Sequence, residues 1–150
     1  MHNPYLRLGV MIALSFIAMY VLMYAMVDRF ANVYPNFNQF YMAGLMAAPM
    51  VLIELLLMGD MYPNKRLNLI VAALSGLALI VFFSFIRQQT AIFDRQFLKS
   101  MIPHHAGAIL MCEKATIVDP QIQELCRTIV SGQQSEIDQM KGILNRLESR

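Results

Sequence analysis

The sequence predicts an all-α membrane protein: three transmembrane helices followed by an extramembrane antiparallel helical hairpin. Three observations predict it. The 150-residue chain is 57% hydrophobic, with a mean hydropathy of +0.49, too apolar for an ordinary soluble domain. Its first part holds three apolar runs of about twenty residues, each long enough to cross a bilayer core of roughly 30 Å. From Gln88 onward the apolar residues recur at helical spacing instead of in solid runs. The expected division is therefore a three-span domain over residues 1–87 and a hairpin domain over residues 88–150.

The first run, about 8–27, contains no charge. Its apolar core is long for a signal peptide and no small-x-small cleavage site follows, so it reads as a permanent anchor. The second, about 39–58, is interrupted only by Glu54, and the third, about 67–86, is again uncharged. Tyr34-Pro35-Asn36 and Tyr62-Pro63-Asn64 mark the turns between them and place tyrosines at the membrane interface. Gly44, Ala47 and Ala48 in the second span, and Ala72, Ala73 and Gly76 in the third, allow close helix contact. A compact three-helix bundle is expected. Arg7, Lys65 and Arg66 fall on one side of this layout, Arg29 and Arg87 on the other. Counting short loops puts the hairpin outside, and adding Arg95 and Lys99 reverses the balance.

Met42, Met46, Met50, Glu54 and Met58 recur every fourth residue in the second span. Two readings stay open for this row: ordinary helix packing, or a thioether path for Cu(I). Glu54 either snorkels or is protonated near the end of its span, or needs a partner at that depth, with backbone groups, Ser15, Ser75, Ser84 or a neighbouring subunit as candidates.

Past the spans, Leu98, Met101, His104/His105, Ala108 and Met111/Cys112 repeat along one helix, into which the third span is expected to run nearly continuously. Asp119-Pro120 ends it and opens the next, with Asp119 as N-cap and Pro120 in the first turn. Ile122, Leu125/Cys126, Ile129, Glu136/Ile137, Met140 and Leu144 continue the second stripe. No strand pattern or internal repeat interrupts this all-helical reading.

Chemistry concentrates in Met101-Ile-Pro-His104-His105 and its neighbours. Imidazole and thioether together suit soft or borderline metals, copper above all. With Met101 at zero, His105 lies at about +40°, His104 at about −60°, Cys112 at about +20° and Met111 at about −80° around the helix. They share a sector of about 120° expected to meet the second helix, with the Pro103 kink turning both histidines inward. Across a hairpin centred on Asp119, residues whose numbers add to about 238 face each other. That sets the histidines opposite Gln133–Glu136 and Met101 near Met140, with Glu136 as ligand or as orienter of an imidazole. Cys112 and Cys126 face each other by the same rule, as a disulfide, as buried thiols or as soft ligands.

Phe97-Leu98-x-x-Met101-Ile102-Pro103-His104-His105-x-x-Ala108-Ile109-x-Met111, followed by Gln133-x-x-Glu136-Ile137-x-x-Met140, resembles the domain of unknown function 305 family over about residues 91–147. The resemblance implies a ferritin-like fold, of which one hairpin is half a four-helix bundle, and kinship with CopM-like proteins linked to copper or silver. It implicates Met101, His104, His105, Met111, Glu136 and Met140 as metal ligands and places the hairpin outside the cytoplasm, here on a membrane-anchored branch. Many soluble members carry two hairpins; a single one buries little surface, so a second copy or a membrane-protein partner is expected to complete the bundle. Cys112 and Cys126 depart from the family pattern, where small residues are expected.

The expected function is capture, tolerance or delivery of Cu(I) or Ag(I) by a protein of the inner membrane with a periplasmic hairpin. The alternative is a non-catalytic structural or assembly subunit of a larger membrane complex. An enzyme is not expected: no Glu is followed three residues later by His, as a di-iron carboxylate site requires, and no nucleophile-base motif or phosphate-binding loop occurs. No basic run suggests nucleic acid.

Overall fold

The computed structural model describes residues 3–149. Its order is α1 (Pro4–Leu22), α2 (Phe37–Leu57), α3 (Lys65–Gln88), α4 (Asp94–Lys114) and α5 (Pro120–Glu148), with short 3-10 turns between the first three. No strand occurs among the described residues. Three stretches, Pro4–Met26, Phe37–Leu57 and Lys65–Gln88, are long and apolar enough to cross a membrane.

The helix ends follow local chemistry. Asn3 caps α1 by accepting from the Tyr5 amide, Asn64 caps α3 by accepting from Leu67, and Asp119 caps α5 by accepting from Gln121 and Ile122. The third span does not run on into α4. Gln89 takes a left-handed conformation (φ 50°), as does Ala91 (φ 59°), which ends the helix. The Gln89 side chain donates to the Ile86 carbonyl and exchanges amide hydrogen bonds with Asn38. These contacts hold a break that periodicity alone does not signal.

The chain forms two compact units, one of Met1–Met23 with Asn38–Thr90, the other of Tyr24–Phe37 with Ala91–Arg150. This differs from a single cut after residue 87. The segment between the first two spans groups with the hairpin because its residues pack there. Val27 and Tyr34 lie against the hairpin core, Gln96 accepts from the Phe37 amide, and Arg29 donates to Gln134.

In the first unit, α2 buries a face of Tyr41, Ala43, Gly44, Ala47, Ala48 and Val51. Small side chains there let helices approach closely. Met42, Met46 and Met58 are exposed, off that packed face. At one end, the Tyr5 hydroxyl donates to Asn68, Asn68 donates to the Tyr62 carbonyl, and the Tyr62 hydroxyl donates to Glu54 at 3.0 Å. Glu54 is thus partnered by a tyrosine of the following turn and not by the serines expected from the sequence. At the other end, the Tyr41 hydroxyl donates to the Thr90 carbonyl.

A Cβ on Gly44 would lie 2.5 Å from two ring carbons of Phe82. Gly44→Ala forces that ring aside and should cost about 1–3 kcal/mol, as overpacking does, lowering the thermal aggregation temperature in detergent. Gly9→Ala, where nothing lies within 4 Å of the added carbon, should leave it unchanged.

Candidate metal centre

The second unit is built on one apolar cluster. Leu98, Ile102, Ala106 and Ile109 of α4 meet Ile137, Met140 and Leu144 of α5. The α4 members recur at helical spacing and are centred roughly 80–100° from Met101. The packed face is therefore rotated away from the sector expected to meet α5. That rotation decides where each candidate ligand lands.

His105 and Cys112 lie on the edge nearest α5, and both reach it. Cys112 and Cys126 form a disulfide with Cα atoms 5.3 Å apart. The His105 side chain is 12% exposed, and its Nδ1 lies 3.0 Å from Oε2 of Glu136. The contact is close but not in line, so Nδ1 remains buried without a hydrogen-bond partner. Burial pushes the imidazole below the ordinary histidine range, the Glu136 carboxylate opposes this, and the neighbouring His104 ring adds to the lowering. The net direction favours the neutral ring, the form that binds metals. A carboxylate beside Nδ1 also favours the proton there, leaving the Nε2 lone pair free for a ligand.

His104, on the other edge, is exposed. Its ring centroid stands 6.0 Å from that of His105, at 57° between planes. Pro103 is buried inside a continuous α4, so the expectation that a kink turns both histidines inward is corrected: only His105 turns in. Met101 is half-buried against the core, one turn before the two histidines. Met140 is a core residue. Met111 is 54% exposed and, two helical turns beyond His104, sits about 10 Å along the axis from it. The six candidates therefore do not converge on one point. Met101, His104, His105 and Glu136 lie within about a turn of one another near the middle of the hairpin. Met140 belongs to the core cluster that Met101 packs against, and Met111 stands apart towards the tip.

Among the described residues, no group of three or more His, Cys, Asp or Glu is placed to hold a metal ion. The donors present are two imidazoles, one carboxylate and a thioether. The Nε2 lone pair left free by a proton on Nδ1, together with a thioether, fits a soft ion better than a hard one. Sequence reasoning did not anticipate a short polar bracket that reaches α5 at Gln134. Asp28 accepts from Asn32 at 2.6 Å and from its neighbour Arg29, which in turn donates to Gln134. Burial raises the Asp28 carboxyl, but the hydrogen bonds from Asn32 and Arg29 together outweigh it and hold it below the usual carboxylate range. The clustered Asp28, Arg29 and Asn32 were the available signal.

These features define a class: an all-helical protein with three helices apolar enough to cross a membrane and a disulfide-stapled hairpin carrying paired histidines. The chain belongs to the DUF305 family, described as a domain of unknown function, whose profile matches residues 83–144. It is 33% identical over 138 residues to an uncharacterized protein of Acanthamoeba polyphaga mimivirus, covering 90% of this chain and 89% of that one. The similarity thus extends through the apolar helices as well as the hairpin. No solved structure matches the chain.

Proposed function

We propose that this chain is a membrane-anchored protein that binds Cu(I) or Ag(I) without catalysing a reaction, serving capture, tolerance or delivery of the ion. The observation that carries the reading is His105: a nearly buried imidazole set against Glu136, with a second imidazole and a thioether within one turn. Three crossings put residues 24–37 and the hairpin on the same face of the membrane. The Cys112–Cys126 disulfide supports an oxidising, extracytoplasmic face, which in a bacterial cell is the periplasmic side of the inner membrane.

The test is a competition titration of the full chain in detergent, with a chromophoric Cu(I) chelator. The wild-type chain should withdraw copper from the chelator. The His104→Ala/His105→Ala variant should not, while keeping its helical circular dichroism. Equal withdrawal by both would remove this site from the account.

A non-catalytic assembly subunit is the second reading. Met111, Val118, Ile122 and Leu125, all exposed near the hairpin tip, favour it. A stable larger complex that carries no metal after gentle extraction would support it over the first.

A further inference from the structure

Arg7, Lys65 and Arg66 gather at one end of the spans. Tyr5 holds the start of α1 against the start of α3: its ring lies 5.4 Å from that of Tyr62, and its hydroxyl accepts from the Asn64 amide. Leu8 meets Tyr62 and Val51 in a small buried cluster at the same place. Two acids share this end. Glu54 accepts from Tyr62, and Asp60 is exposed in the turn before α3. Among the described residues, no ion pair joins either acid to any of the three cations.

Lys65 heads a groove between α2 and α3. Lys65, Asn68, Leu69 and Ala72 line its α3 side, an i, i+3, i+4, i+7 stripe on one helix face, and Leu52, Leu55 and Leu56 line its α2 side. Its volume is about 480 Å³, within the range of about 300–1,000 Å³ for small-molecule sites. Glu54 lies about 150° around α2 from the centre of those three leucines, on the far side of the helix. From Lys65 to Ala72 the stripe runs about 10 Å along the axis, most of one leaflet of a bilayer core about 30 Å thick. The same order of polarity recurs on α1, where Arg7 stands above Val10, Met11, Leu14 and Ser15 around a space of about 550 Å³.

A cation at the polar end and aliphatic walls below it match the build of a lipid, an acidic headgroup above an acyl chain. The positive end of the α3 dipole adds to the Lys65 charge. A zwitterionic headgroup would bring its own cation beside that charge, and an anionic one does not. We infer that the groove between α2 and α3 is a binding site for an anionic phospholipid, with its phosphate on the Lys65 ammonium and one acyl chain along Leu55, Leu56, Leu69 and Ala72.

The chain has no tryptophan, so a single introduced indole reports alone. Leu69→Trp places it in the groove. Ile70→Trp places it on another side of α3, one turn below Arg66 and off the groove lining. Both native side chains are exposed, at 72% and 54%. The full chain is put into vesicles of phosphatidylcholine and phosphatidylglycerol in equal parts, with one or the other brominated on its acyl chains. Brominated phosphatidylglycerol should quench Leu69→Trp more strongly, with an affinity ratio of about fivefold, as about 1 kcal/mol per basic side chain near an anionic surface gives. Ile70→Trp should respond almost equally to the two lipids. Lys65→Gln should abolish the preference at Leu69→Trp, and Arg66→Gln should not. Equal quenching of Leu69→Trp by both lipids would overturn the site. So would an equal preference at Ile70→Trp, because any exposed cation would then suffice, and so would a preference that survives Lys65→Gln. Failure of either lipid to quench Leu69→Trp would also overturn it, since a second copy or another protein would then fill the groove.

Discussion

Ile137→Ala should destabilise the hairpin by about 2–5 kcal/mol, the range for deleting a large aliphatic side chain from a packed core. Ile137 is fully buried, with Ile102, Ile109 and Leu144 beside it, and these packed neighbours limit how far the cavity can close. Leu125→Ala, on the same helix, should stay within about 0.5 kcal/mol, because Leu125 is exposed. Hydrogen exchange of the α4 and α5 amides in detergent reads both variants. A comparable loss of protection in the two would mean that the core is not confined to the end of the hairpin where it is described.

Removing the disulfide should have the next largest effect. Cys112 and Cys126 are separated by 14 positions, and closing a loop of about 15 residues contributes roughly 3 kcal/mol in the chain-entropy account. The staple matters more than its size suggests because of where it sits. The buried cluster ends at Ile109 on α4 and starts at Ile137 on α5, so the turn-proximal third of the hairpin has little apolar packing of its own. Cys112→Ser/Cys126→Ser should lower the melting temperature of this unit by about 10 °C or more. Protection should be lost first in residues 110–130 and last around Ile102 and Leu144. Uniform loss, or none, would show that packing and not the cross-link holds the tip.

Much of this fold is legible in the sequence. Runs without charge locate the spans because a charged side chain in lipid is expensive. Asp119-Pro120 locates the turn because an N-cap followed by proline in the first helical turn has one structural meaning. The hairpin register follows from that turn and correctly sets Cys112 against Cys126. It drifts towards the other end, where His105 meets Glu136 and Lys99 pairs with Glu148. A rule counted from one turn accumulates error along two long helices.

Other parts are not legible, and for identifiable reasons. The break at Gln89 depends on a side-chain exchange with Asn38, 51 positions away. The packing of residues 24–37 combines two apolar contacts, Val27 and Tyr34, with single hydrogen bonds from Arg29 to Gln134 and from the Phe37 amide to Gln96, which leave no periodic trace. The facing of His104 is hidden because α4 is apolar all round. Periodicity identifies an amphipathic face only when the other faces are polar, and residues 100–112 offer no such contrast. The partner of Glu54 is hidden for a simpler reason: Tyr62 reads as an interfacial anchor, and its hydroxyl turns back to the carboxylate.

X-ray absorption at the copper edge of the Cu(I)-loaded full chain tests the central claim most directly. The account predicts imidazole scattering together with at least one sulfur, and loss of the imidazole component in His104→Ala/His105→Ala. A spectrum of oxygen ligands alone, or one that the double substitution leaves unchanged, would contradict it.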